Sequence, residues 1–173
     1  GALEPFDEAN FTPDAYGFDT LFPSDPEAAL LDLWDLTDVD DIEDAVNWGI
    51  GYDTEDIDDD NNATETRDWI LGDTLHSRPR VVSYGLINGR TEGGLGSDLR
   101  ILVGTNSGFL HMFGNDDGVE DWAFFPKELG ALLSTRRLDT AGNGRPYGVD
   151  SPTVIYRYDD NRDGTLDHDD GDK

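Results

Sequence analysis

The chain contains no cysteine. A disulfide framework, a thiolate metal site and a cysteine nucleophile are thereby excluded, and cysteine usage says nothing about redox compartment. Basic residues are also scarce, with 12 Lys and Arg against 39 Asp and Glu and a formal net charge of -27 over 173 residues. A surface of that sign repels a phosphate backbone, and no Lys/Arg-rich stretch makes a local exception, so nucleic acid is excluded as a partner. No apolar run approaches the roughly 20 residues of a bilayer-spanning helix. The opening Gly1-Ala2-Leu3-Glu4-Pro5-Phe6 lacks the charged-then-apolar pattern of a signal peptide, and the chain reads as mature or excised.

What is present favours a folded chain. The length suits one domain, or one domain with a small helical appendage. Hydrophobic residues make up 36% of the chain, and Trp34, Trp48, Trp69 and Trp122 are spread along it, which argues against wholesale disorder. The excess acid repels itself and destabilises a compact state unless cations neutralise part of it, so the composition points to bound metal or a salty exterior. Simple solvation of the surface is the competing explanation.

Residues 1–52 read as an extended lead-in followed by a helical hairpin. The lead-in, 1–23, has Phe6, Phe11, Tyr16, Phe18 and Phe22 without a period, as aromatics that dock on something. Ser24-Asp25-Pro26-Glu27 combines a capping side chain, a proline just inside and an acid in the first turn, predicting a helix to about Trp34. Val39, Ile42, Val46 and Ile50, spaced by three and four after a cap at Thr37 or Asp38, predict a second helix ending at Gly49 and Gly51. Residues 53–66 are too polar for a core element and form an acidic loop. Residues 67–173 read as a β-meander. Its β-prone runs are 81–84, 99–103, 109–113 and 122–125, with hairpin turns at Asn106-Ser107-Gly108 and Asn115-Asp116-Asp117-Gly118. A later strand over 151–158 would hold Val154, Tyr156 and Tyr158 on one face.

That run leads into Asp159-Asp160-Asn161-Arg162-Asp163-Gly164-Thr165-Leu166-Asp167-His168-Asp169-Asp170. The spacing is that of an EF-hand-type calcium loop. Calcium takes six to eight hard oxygen ligands at about 2.3 to 2.6 Å; alternate residues of a curled loop point inward, and a glycine at position six permits the sharp turn. Asp159, Asn161, Asp163 and Asp167 would supply side chains, Thr165 its carbonyl, and Asp170 stands at position twelve. Aspartate in place of the bidentate glutamate at position twelve, and a strand rather than a helix leading in, predict a modest affinity, on the order of 10⁻⁴ to 10⁻³ M. A solvated acidic turn is the alternative. A weaker match lies in the acidic loop, where Asp56, Asp58 and Asp60 repeat the one-three-five spacing. There Asn61 replaces the glycine and Thr64 stands at position nine; Asn tolerates the left-handed conformation better than most residues, and a mobile acidic linker is the competing reading. Asn62-Ala63-Thr64 also fits an N-glycosylation acceptor.

Catalytic patterns are weak. His76, His111 and His168 are not at helical metal-ligand spacing, and His111, inside a strand, is expected to be packed or hydrogen-bonded. Asp73, His76 and Ser77 are close in sequence, but a nucleophilic triad is assembled from distant segments and needs an exposed elbow for its serine. No carboxylate pair stands out for glycoside hydrolysis. The chain is expected not to be an enzyme.

Leu71-Gly72-Asp73-Thr74-Leu75-His76-Ser77-Arg78-Pro79, the 103–113 hairpin, Glu120-Asp121-Trp122-Ala123-Phe124-Phe125-Pro126 and Tyr147-Gly148-Val149-Asp150-Ser151-Pro152 occur in order before the acidic loop. Together they resemble the C-terminal domain of the PilY-type proteins of type IV pili, over roughly residues 46–170; the hairpin alone also resembles quinoprotein propeller repeats. The resemblance implies a modified β-propeller, here mainly β with a small N-terminal helical segment and strands for about two blades. It further implies an exported, pilus-associated protein in which calcium at Asp159, Asn161, Asp163, Thr165 and Asp167 governs extension, retraction and adhesion, with pilus minor subunits or a host or surface ligand as partners. An incomplete propeller exposes sheet edges, so a calcium-stabilised extracellular fibre or matrix built by self-pairing is the alternative.

Overall fold

The computed structural model describes residues 6–86, 97–138, 146–163, 166, 169, 171 and 172. They divide into two compact units. The first comprises 1–73, 106–108 and 125–148, and the second 74–105, 109–124 and 149–173.

The first unit is helical. α1 (Phe18–Leu21) is a single turn, and α2 (Pro26–Trp34) starts where the proline and its cap predict, with the Asp25 side chain accepting from the Ala28 N–H at 3.0 Å. α3 (Asp40–Ile50) follows a turn in which Asp38 accepts from the Asp40 N–H at 3.1 Å. Gly51, at φ 113°, caps its C-terminus, whereas Gly49 lies inside the helix. α4 (Gly130–Leu138) is a helix that the reading of a purely N-terminal helical segment did not include. Its Leu132 and Leu133 join Leu30, Trp34, Ile42, Ala45 and Val46 in the core. The expected extended lead-in is instead coiled into 3-10 turns over Glu8–Asn10 and Asp14–Tyr16 before α1. Its aromatics do dock. The Phe11 ring meets Trp34 edge-on at 5.2 Å, and Tyr16 accepts from the Trp34 indole N–H and donates to the Lys127 carbonyl. These bonds turn the chain back onto the helices, which an extended segment would not do.

The second unit is one antiparallel sheet in the order β1 (Arg80–Leu86), β2 (Ser97–Gly104), β3 (Leu110–Gly114), β4 (Glu120–Phe124). The meander matches the four β-prone runs, with Leu102 opposite Met112 and Met112 opposite Trp122. Gly108 and Gly118, at φ 97° and 71°, occupy the two turns where only a residue without Cβ is unstrained. The sheet is open. Val82, Leu102 and Met112 form its buried cluster, with Tyr84, Leu110 and Ile155 packed against it. Residues 151–158 form no strand, contrary to expectation. The expected alternation is present all the same: Val154 and Tyr156 are 91% and 78% exposed, while Ile155 between them packs on the sheet cluster.

Candidate metal centres and the His76–Asp150 staple

The acidic loop is pinned at its neck. Tyr52 bridges Thr66, the Asp53 N–H donates to the Glu65 carbonyl at 2.9 Å, and the Arg67 N–H donates to that of Gly51 at 2.8 Å. Beyond the neck, aspartate side chains bond nearby backbone and curl the chain: Asp56 accepts from the Asn61 N–H at 3.0 Å and Asp60 from the Asn62 N–H at 2.8 Å. Asp56, Asp59 and Asn61 adopt left-handed backbone at φ 48°, 60° and 66°. Asn61 thus takes at position six the conformation a glycine would supply. Asp56, Asp58 and Asp60 are brought together, with carboxylate oxygens within 4.8 Å of one another. Thr64 turns elsewhere, its hydroxyl donating to Asn62.

A second group shares Asp58. Oxygens of Asp53, Asp58 and Glu65 also lie within 4.8 Å of one another, and Asp53 is only 5% exposed. Neither Asp53 nor Glu65 falls on the one-three-five spacing, so the sequence pattern misses both. The Tyr52–Thr66 bridge, which sets one loop end against the other, makes them neighbours. Burial, then repulsion from Asp60, Asp58, Asp53 and Asp56, raises the Glu65 carboxyl above its usual range. Beside this loop a cavity of about 260 Å³ is lined by Trp48, Ile57, Arg67 and Trp69, with the Arg67 guanidinium 3.8 Å from the Trp48 ring centroid.

In the C-terminal loop, Asp159, Asn161 and Asp163 are described, whereas Gly164, Thr165, Asp167, His168 and Asp170 lie outside the described residues. The Leu166 N–H donates to the Tyr84 carbonyl of β1, and the Asp160 N–H donates to the buried Asp172. Asn161 Nδ2 donates to Asp163 at 3.1 Å and the Asp163 N–H donates to Asn161 Oδ1 at 2.9 Å, so positions three and five converge, while Arg162 between them is left-handed at φ 61°. An all-oxygen donor set of this kind fits a hard cation such as calcium.

One well-connected polar side chain of the sheet unit is one that the sequence did not single out as a site. Asp150 Oδ1 accepts from the N–H groups of His76 and Ser77 at 2.7 and 2.6 Å, and its Oδ2 pairs with His76 Nδ1 at 2.7 Å. The Ser77 hydroxyl in turn accepts from the Gly104 N–H at 3.0 Å. Burial pushes the Asp150 carboxyl up, but the His76 and Ser77 hydrogen bonds outweigh it and hold the group below its usual range. His111 is packed as its strand position predicts, stacked on Phe113, with Nδ1 2.6 Å from Glu120 and Nε2 3.3 Å from the Thr105 hydroxyl.

No protein-family model and no solved structure matches the chain. One curated protein, the type IV pilus biogenesis factor PilY1 of Pseudomonas aeruginosa (strain UCBPP-PA14), is 32% identical over 107 residues. The match covers 51% of this chain, and the chain spans 9% of that protein's length. The chain is therefore similar to a PilY1-related region.

Proposed function

We propose that the chain is a non-catalytic, calcium-binding surface module that acts in type IV pilus assembly and adhesion, outside the cell. The single observation that carries this reading is the similarity to a type IV pilus biogenesis factor. The ligand spacing from Asp159 to Asp170, with Asn161 and Asp163 bonded side by side, supports calcium as the ion. Pilus minor subunits or a surface ligand are the partners this reading calls for. Removing the segment from its host should reduce surface pili seen by negative-stain electron microscopy, and undiminished pili would refute the role. In vitro, calcium at about one to ten times its dissociation constant should stabilise the chain by ~0.4 to 1.4 kcal/mol. Asp163→Ala should lose most of that gain in a thermal melt.

A second reading, a self-assembling extracellular fibre, is favoured by the open sheet, whose β1 and β4 edges pair with no further strand among the described residues. Trp122 and Phe124 on β4 are both exposed. A chain that stays monomeric in size-exclusion chromatography both with calcium and with chelator would eliminate it.

A further inference from the structure

Two ligands on opposite sides of a calcium ion, each at about 2.3 to 2.6 Å, stand roughly 4.6 to 5.2 Å apart. The oxygens of Asp53, Asp58 and Glu65, all within 4.8 Å of one another, can therefore be reached by one ion at their centre. Asp53 makes this more than a crowd of surface acids. It is 95% buried, its Oδ2 is taken by the Ile57 N–H at 2.9 Å, and its Oδ1 is buried with no hydrogen-bond partner. A buried carboxylate oxygen left so is costly unless something positive meets it. Among the described residues, no Lys, Arg or His lies within ion-pair distance of Asp53, Asp56, Asp58, Asp60 or Glu65; the Arg67 guanidinium acts on the Asp53 charge from farther off and leaves the excess of carboxylates uncompensated.

We infer that the loop closed by Tyr52 and Thr66 is a cation site of its own, in which Asp53, Asp58 and Glu65 grip a hard divalent ion of calcium size and Asp56 and Asp60 add negative potential beside it. Asp53 is the anchor, because the Ile57 N–H fixes one of its oxygens and leaves the other for the ion. The left-handed turns at Asp56, Asp59 and Asn61 give a curled chain suited to calcium's variable coordination rather than to the rigid octahedron of magnesium. The inference does not rest on the C-terminal loop.

The test is calorimetric titration of calcium alone into the full chain, in a background where Asp163→Ala has crippled the C-terminal loop. That variant should still bind one ion per chain. Adding Asp53→Asn or Glu65→Gln should weaken the remaining binding by at least about tenfold, since each removes a charged ligand. If Asp53→Asn fails to fold by circular dichroism, Glu65→Gln and Asp58→Asn, on more exposed side chains, decide the matter. No binding by the Asp163→Ala chain up to about 1 mM, the weak end for extracellular sites, would overturn the inference. So would unchanged affinity in both Asp53→Asn and Glu65→Gln. Failure of the C-terminal site would look different: Asp163→Ala would match the parent in stoichiometry while Asp53→Asn alone lost an ion.

Discussion

Asp150 ties together backbone from residues 76, 77 and, through Ser77, 104. Its bonds favour the carboxylate, so its pKa is lower in the folded chain than the ordinary 3.8. A depressed carboxyl stabilises the fold fully above the unfolded pKa and loses that contribution as pH falls through the folded one. Denaturant melts of the parent and Asp150→Asn should therefore differ at pH 7 and draw together as pH falls below the ordinary carboxylate range; equal midpoints at pH 7 would show the staple to be idle. Gly130 gives a second test at this scale. A Cβ there would clash with Trp34 Cε2, and that indole is fully buried and held by Tyr16. Alanine normally favours a helix over glycine, but here Gly130→Ala should destabilise by ~1–3 kcal/mol in urea unfolding.

At the scale of elements, α4 contributes both packing and charge pairing. Leu133 is completely buried, and its replacement by alanine should cost ~2–5 kcal/mol, read as a lower denaturation midpoint at constant slope. One turn on, Arg137 extends a nearly buried side chain to Asp41 and Asp44 of α3 and to Glu55 of the acidic loop. The guanidinium is the buried member and the three acids are partly exposed, so the charge that most needs its partners is that of Arg137. β4 behaves in the opposite way. All five of its residues are exposed, so a substitution such as Phe124→Lys should leave stability within about 0.5 kcal/mol. The same change would blunt the edge against pairing.

The whole molecule is governed by its charge of -27. Mutual repulsion among exposed carboxylates weakens as the Debye length falls from about 10 Å at 0.1 M salt to about 3 Å at 1 M. Melting temperature should accordingly rise with sodium chloride. Millimolar calcium should raise it further at an ionic strength where sodium has no remaining effect, because a coordinated ion acts by ligation rather than by screening. Coincident calcium and sodium curves at matched ionic strength would mean that screening alone is at work.

Local chemistry was enough to read α2, α3 and the four strands from the sequence, because a proline behind a cap, a three-four apolar spacing and glycine turns each act within a few residues. The likeness to a pilus protein is also carried by the linear order of its motifs. Other features needed the folded chain. His76 and Asp150 are 74 positions apart, Asp53 and Glu65 stand outside the ligand spacing, and Arg137 meets three acids from two distant segments. Alternation over 151–158 showed that two faces differ but not which one would be covered, since a period carries no sign. The covered face is decided by what packs against it, and in this protein that is the sheet cluster meeting Ile155.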